Sequence, residues 1–169
     1  MRRWQSADFK MIENRSGNDI GFVIKSEKGE RILRTIIFLL AVAGIVVSSL
    51  AWRVHYSTST EPCDINARWD CGIVNHSRYS MIHGVPVAAV GVAGYLLIAL
   101  LALFRQRRWV LVFSLCGLLF ALYYSHIEAS ILEVWCLYCV ISQCLIALIV
   151  LLAAADLLIN RGRLSQKLT

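Results

Sequence analysis

The sequence predicts an all-α integral membrane protein, a four-helix bundle with one long external loop between its first two helices. Three observations carry that expectation. Hydrophobic residues make up 58% of the 169 and charged residues only 17%, against about 45–50% and about 25% in soluble domains. The apolar residues gather into four runs, and the basic residues cluster beside those runs.

The runs cover 35–52, 86–104, 109–127 and 134–155, the last shading on to 159, and hold 18, 19, 19 and 22 residues. A helix rising about 1.5 Å per residue needs roughly 20 residues to cross a hydrocarbon core of about 30 Å. Lipid offers a backbone amide no partner, so each run must close its own hydrogen bonds as a helix. The expected organisation is a tail over 1–34, a membrane domain over 35–160 with helices at about 35–54, 86–104, 109–127 and 134–159, and a tail over 161–169. The first run has the small-residue end of a signal peptide at Ser49-Leu50-Ala51, but it is too long and follows 34 mostly polar residues, so it reads as an uncleaved helix. The tail suggests a turn at Glu27-Lys28-Gly29. Pro86 suits a first helical turn, where a missing N–H does no harm, and Gly84 permits a sharp entry. Gly91 and Gly94 read as points of close helix contact.

Cytoplasmic segments of membrane proteins are enriched in Lys and Arg. Of the 17 here, eight precede the first helix, three lie between the second and third (Arg105, Arg107, Arg108), and three follow the fourth (Arg161, Arg163, Lys167). Only Arg53, Arg68 and Arg78 remain for the other face. Both termini are therefore expected in the cytoplasm and the 55–85 loop outside, in the oxidising compartment. The net charge of +6 arises from these clusters, not from a basic face, which argues against a nucleic-acid partner.

That orientation collects four of the six cysteines on one side. Cys63 and Cys71 lie in the external loop, and Cys136 and Cys139 lie where the fourth helix emerges. Cys136-Leu137-Tyr138-Cys139 is a C-x-x-C at a helix start, where the positive end of the helix dipole and a neighbouring sulfur both favour the reactive thiolate. A four-cysteine zinc site is the rival, but eight residues separate Cys63 from Cys71, against two to four in most zinc motifs. Two static disulfides bracing a small protein are the other alternative. Cys116 and Cys144, amid apolar residues, read as packing residues and poor nucleophiles. His76, His83, His126, Glu128 and Glu133 fall near the external face and read as solvated helix ends, although any of them could relay a proton. Asp156, toward the other end, reads as snorkelling or paired with a base.

Taken together, Cys63, the run Cys71-Gly72-Ile73-Val74-Asn75-His76-Ser77-Arg78-Tyr79, Gly84-Val85-Pro86, and the pair Cys136 and Cys139 resemble the vitamin K epoxide reductase family over about 33–160. The resemblance implies an external redox loop whose Cys63 and Cys71 take electrons from a thioredoxin-like or DsbA-like partner. It implies that Cys136 and Cys139 are the active-site pair beside a quinone (ubiquinone or menaquinone), and that Ser77 is the loop serine contacting it. No metal is expected. Vertebrate members carry a tyrosine four residues after the second active-site cysteine, where this chain has Gln143, and an asparagine in the second helix near the position of Val87. Those departures favour quinone reduction, supporting disulfide formation in secreted proteins from a bacterial inner membrane, over a vitamin K cycle. With the chain ending at Thr169 and no thioredoxin-like domain attached, the partner is expected to act in trans. A quinone-linked enzyme of the DsbB type has its cysteine pairs in the reverse order, and a zinc- or disulfide-braced membrane protein is the non-enzymatic alternative.

The basic-residue asymmetry makes a prediction about topology. A tag at either terminus should be shielded in sealed cells, whereas a label on Ser59 should be reachable from outside. Labelling of the C-terminus in intact cells would refute that orientation.

Overall fold

The computed structural model describes residues 2–57 and 63–166, with side chains placed for 28–57 and 63–159. Ser59 and the last residues of the C-terminal tail lie outside these. Helix α1 spans Arg2–Tyr56, the short α2 Cys71–His76, α3 Val87–Leu103, α4 Arg107–Ile127 and α5 Leu137–Gln166. A single π-helical turn, Glu128–Leu132, extends α4. Among the described residues, three segments are long and apolar enough to cross a membrane: Lys28–Tyr56, Arg107–Leu132 and Leu137–Ile159. The fourth, Val87–Leu103, has 17 residues and about 26 Å of helical rise, at the short end for a bilayer. Helix α1 continues through 27–29, where the sequence suggests a turn.

Helix α1 packs against α3 and α5, and α4 packs against α5 and α3. The interior of this bundle joins Ala41, Ala99, Ala102 and Ala153 with Ile37, Ile98, Ile146 and Ile149, small residues admitting close approach while the larger ones fill the gaps. Large apolar side chains such as Leu39, Leu119, Leu151 and Leu158 point outward, as expected of faces solvated by lipid instead of water. At one end, Arg107 of α4 reaches both Glu30 of α1 and Asp156 of α5, the latter at 3.4 Å. Asp156 thus has a neighbouring base, one of the two readings the sequence offers.

The connections obey local backbone chemistry. Between α3 and α4 the chain reverses through Arg105 at φ 60°, with Arg105 N–H donating to Ala102 and Gln106 N–H to Leu101. This is a Schellman cap with arginine in the left-handed position that glycine usually fills. Before α3, strands β1 (Met81–Ile82) and β2 (Val85–Pro86) pair antiparallel, with Ile82 opposite Val85. The two residues between them, His83 and Gly84, both have positive φ, the requirement of a tight hairpin turn. The sharp entry expected at Gly84 is therefore a hairpin, and α3 starts after Pro86.

Helices α1, α3 and α5 meet at one aromatic node. The Tyr95 hydroxyl donates to the Ser142 carbonyl at 2.7 Å and lies 3.0 Å from its hydroxyl, while the ring occupies the space a side chain on Gly44 would need. A Cβ at Gly44 would lie 2.3–2.6 Å from three ring atoms. Overpacking a tightly filled interior costs about 1–3 kcal/mol. Gly44→Ala should therefore lower the thermal midpoint in detergent. Gly94→Ala, with no atom within 4 Å of its added Cβ, should not lower it, and equal midpoints for the two variants would contradict this packing.

Candidate redox site

The site is assembled by a few backbone hydrogen bonds between the loop and the segment before α5. Asn66 turns the loop, its side-chain oxygen accepting from the N–H groups of Arg68 and Trp69 at 2.9 and 3.2 Å. The strand so presented joins residue 135: Trp135 N–H donates to Arg68 at 2.8 Å, and Asp70 N–H donates to Trp135 at 3.1 Å. This forms a parallel bridge between Trp69 and Trp135. Cys71 follows two residues after one side of the bridge and Cys136 one residue after the other.

Cys71 begins α2, whose first three amides all find side-chain acceptors. Asp64 Oδ1 accepts from Cys71 and Gly72 at 3.0 and 3.2 Å, and Asp70 accepts from Ile73 at 2.8 Å. Capping of this kind stabilises a helix end by about 1 kcal/mol, which lets a six-residue helix persist in the loop. Cys63 and Cys71 are joined in a disulfide, their Cα atoms 5.8 Å apart. Both are buried, in one apolar cluster with Val54, Val74, Val134 and Cys136, against which Cys139 packs. Cys136 and Cys139 are free thiols. A hydrogen bond from the Cys139 thiol draws the Cys136 thiol below its ordinary pKa, against the opposing effect of burial.

Asn75 connects the two pairs, a residue that sequence reasoning quoted but gave no role. Buried in α2, it donates to the Cys71 carbonyl at 2.9 Å and lies 3.7 Å from the Cys136 sulfur. Its own carbonyl is 2.5 Å from His55 Nδ1 at the end of α1, which also reaches Ser80 at 3.5 Å. Ser77 closes α2, and its hydroxyl donates to the Val74 carbonyl at 2.8 Å, leaving the oxygen's lone pairs as its remaining contact.

Beside these groups an apolar cavity of about 340 Å³ opens among α1, α3, α4 and α5. Tyr95, Phe113, Phe120 and Ile146 line its body, and Asn75, Ser77, Glu128 and Cys139 supply polar groups. Binding sites for flat, mostly apolar molecules commonly have this composition. Gly91 makes the close contact expected of it, with Ser48 of α1, but Gly94 leaves open space and borders the cavity. Gln143 is engaged by the Ser125 hydroxyl of α4. His76, His83, His126 and Glu133 are exposed, as expected of solvated ends. Glu128 is not: it is 1% exposed, and its Oε2 accepts from the Cys136 N–H at 3.1 Å.

Apolar helices carrying a disulfide packed against a second, open cysteine pair, beside a cavity, define a membrane oxidoreductase that works through thiols. The model of the vitamin K epoxide reductase family matches residues 35–154. The chain belongs to that family, whose members are oxidoreductases that act with quinones.

Of the two remaining cysteines, Cys144 is exposed on a helix face and Cys116 is exposed where α4 lines the cavity; neither is buried. Neither is in the buried cluster that holds Cys63, Cys71 and Cys136. Cys116→Ala and Cys144→Ala should each keep most of the turnover. A loss matching that of Cys139→Ala, in protein that folds and inserts, would show that the redox set is larger than four.

Proposed function

We propose that the protein passes electrons from a thioredoxin-like partner through Cys63–Cys71 to Cys136 and Cys139 and on to a quinone. The observation that carries this reading is the shared buried cluster of the loop disulfide and Cys136, with Cys139 opening on the apolar cavity. The loop pair can receive electrons by exchange with a dithiol, and the helix pair can deliver them to a molecule dissolved in lipid. The bonded state of Cys63 and Cys71 also weighs against the zinc alternative. Those sulfurs and Asp64 are close enough to hold a metal, but zinc takes thiolates, and a disulfide offers none.

In the relay, a partner thiolate attacks Cys63 and releases the Cys71 thiolate. Cys71 attacks Cys136 of an oxidised helix pair, the Cys136–Cys139 bond breaks, and a Cys71–Cys136 bond forms. Cys63, freed when the partner's second thiol leaves with its own disulfide, attacks Cys71 and expels Cys136. A sulfur leaves faster when its thiol is more acidic, and Cys136 is the more acidic of its pair. The reduced helix pair then gives two electrons to the quinone, and the oxidised partner can introduce disulfides into secreted proteins. In this reading both termini are cytoplasmic, the loop is external, and Ser77 offers a polar contact to the quinone.

Turnover is the direct test: purified protein in detergent, a reduced thioredoxin-like donor, and quinone reduction followed optically. Reduction that depends on all four cysteines is expected. The route has its own signature in Cys139→Ala, where the Cys136 thiolate can attack Cys71 of the loop disulfide, forming Cys71–Cys136 and releasing the Cys63 thiolate, with no Cys139 to take Cys136 back. This variant should accumulate Cys71–Cys136, as read by non-reducing peptide mapping. A variant holding only Cys63–Cys71 and a free Cys136 under turnover with reduced donor would make the loop pair a structural brace.

A further inference from the structure

Glu128 occupies a position that no solvated helix end shares. It lies in the π-helical turn that extends α4, 1% exposed, with its carboxyl against the residue before α5. Oε2 is engaged by the Cys136 N–H. Oε1 is buried with no hydrogen-bond partner. The same carboxyl interacts with the Cys139 thiol and borders the apolar cavity. Buried polar atoms are almost always paired, and a buried carboxyl held by one oxygen, with the other unpaired, beside a cavity and a reacting sulfur is arranged to exchange a proton there.

We propose that Glu128 is the proton carrier between the Cys139 thiol and the quinone. This rests on the quinone-reductase reading above. Formation of the Cys136–Cys139 disulfide breaks two S–H bonds and forms one S–S bond, releasing two electrons and two protons, while the quinone takes up two of each to become a quinol. Glu128, as the acid, gives its proton to the quinone oxygen nearest Cys139 and recovers one from the Cys139 thiol, ending as it began. The other proton leaves the pair for bulk water and the distal quinone oxygen takes one from bulk water, so that two protons leave and two are taken up. The carboxyl thereby handles the proton whose donor and acceptor both face the apolar cavity.

Glu128→Gln tests the proposal, because the amide oxygen can still accept from Cys136 N–H while the group no longer transfers a proton. Loss of a positioned acid or base typically costs 10²–10⁴-fold. The variant should reduce quinone at least about 100-fold more slowly, yet exchange between the loop pair and the helix pair, read by alkylation and mass, should stay at the wild-type rate. Glu128→Asp should recover part of the turnover that Glu128→Gln loses, which a purely structural role would not produce. Quinone reduction by Glu128→Gln within about threefold of wild type would overturn the proposal while leaving the relay intact. Wild-type protein that exchanges thiols but reduces no quinone would overturn the relay reading with it. If Glu128→Gln does not fold, oxidised wild-type protein treated with a lipid-soluble carbodiimide gives the answer. The expected result is an adduct on Glu128 with quinone reduction lost and thiol exchange retained; an unmodified Glu128, or a modified one in fully active protein, overturns the proposal.

Discussion

The backbone bridge between Trp69 and Trp135 is the constraint on which the site depends. Two hydrogen bonds, Trp135 N–H to the Arg68 carbonyl and Asp70 N–H to the Trp135 carbonyl, with the parallel pairing they define, fix the register of the loop strand against the start of α5. A slip of one residue would turn alternate side chains to the opposite face, taking Cys71 out of the apolar cluster. The side-chain network repeats the same registration: Asn75 touches the Cys71 carbonyl and the Cys136 sulfur, and its carbonyl is anchored by His55 from α1. Three elements distant in sequence thus agree on one arrangement of sulfurs.

Much of this was legible before any coordinates. The lengths of the apolar runs and the need to satisfy every amide in lipid imply the long helices of the bundle. The juxtaposition of two cysteine pairs followed from placing both on one side. What could not be read were contacts set by irregular backbone. The hairpin at His83 and Gly84 arises from two consecutive positive φ angles, which Gly84 hints at and His83 does not. Glu128 was grouped with four other polar residues near the same face because periodicity cannot tell an α turn from a π turn. The insertion of that single wide turn rotates the following residues relative to the helix, and it separates a buried carboxyl from exposed His126 and Glu133. Asn75 looked like one more polar loop residue, since nothing in a six-residue stretch shows that α2 will be pressed against another element.

The two ends of the bundle are held by different physics. Near Arg107 the helices are joined by charge, one guanidinium bridging carboxylates on α1 and α5. Planar arginine keeps its charge and can serve two acceptors at once, so a single residue ties three helices where apolar packing thins out. At the sulfur end the ties are hydrogen bonds beside an apolar cluster, made by backbone amides, by Asn75 and by the carboxyls of Asp64 and Glu128, which hold the Cys71 and Cys136 amides. Between the ends, the Tyr95 node lines the cavity, which extends from Asn75 and Cys139 to Ile98 and Phe113.

Burial also divides the exchange reactions of the proposed relay into two kinds. Cys63 is 2% exposed, and Cys71 and Cys136 are fully buried, yet all three share one cluster. A thiolate must approach a disulfide sulfur directly, and access limits the rate as surely as acidity does. Transfer between Cys71 and Cys136 therefore needs only small side-chain movements within the cluster. A water-soluble partner, by contrast, must first uncover Cys63, which means displacing loop backbone that the Trp69 bridge and the Asp64 caps hold in place. Local openings of that kind occur with free energies well below that of global unfolding, and they would make partner access, rather than internal transfer, the step that the stability of the loop controls. The same burial keeps other thiols from short-circuiting the pair at Cys136 and Cys139, so the interactions that slow entry of electrons are also the ones that direct them toward the cavity.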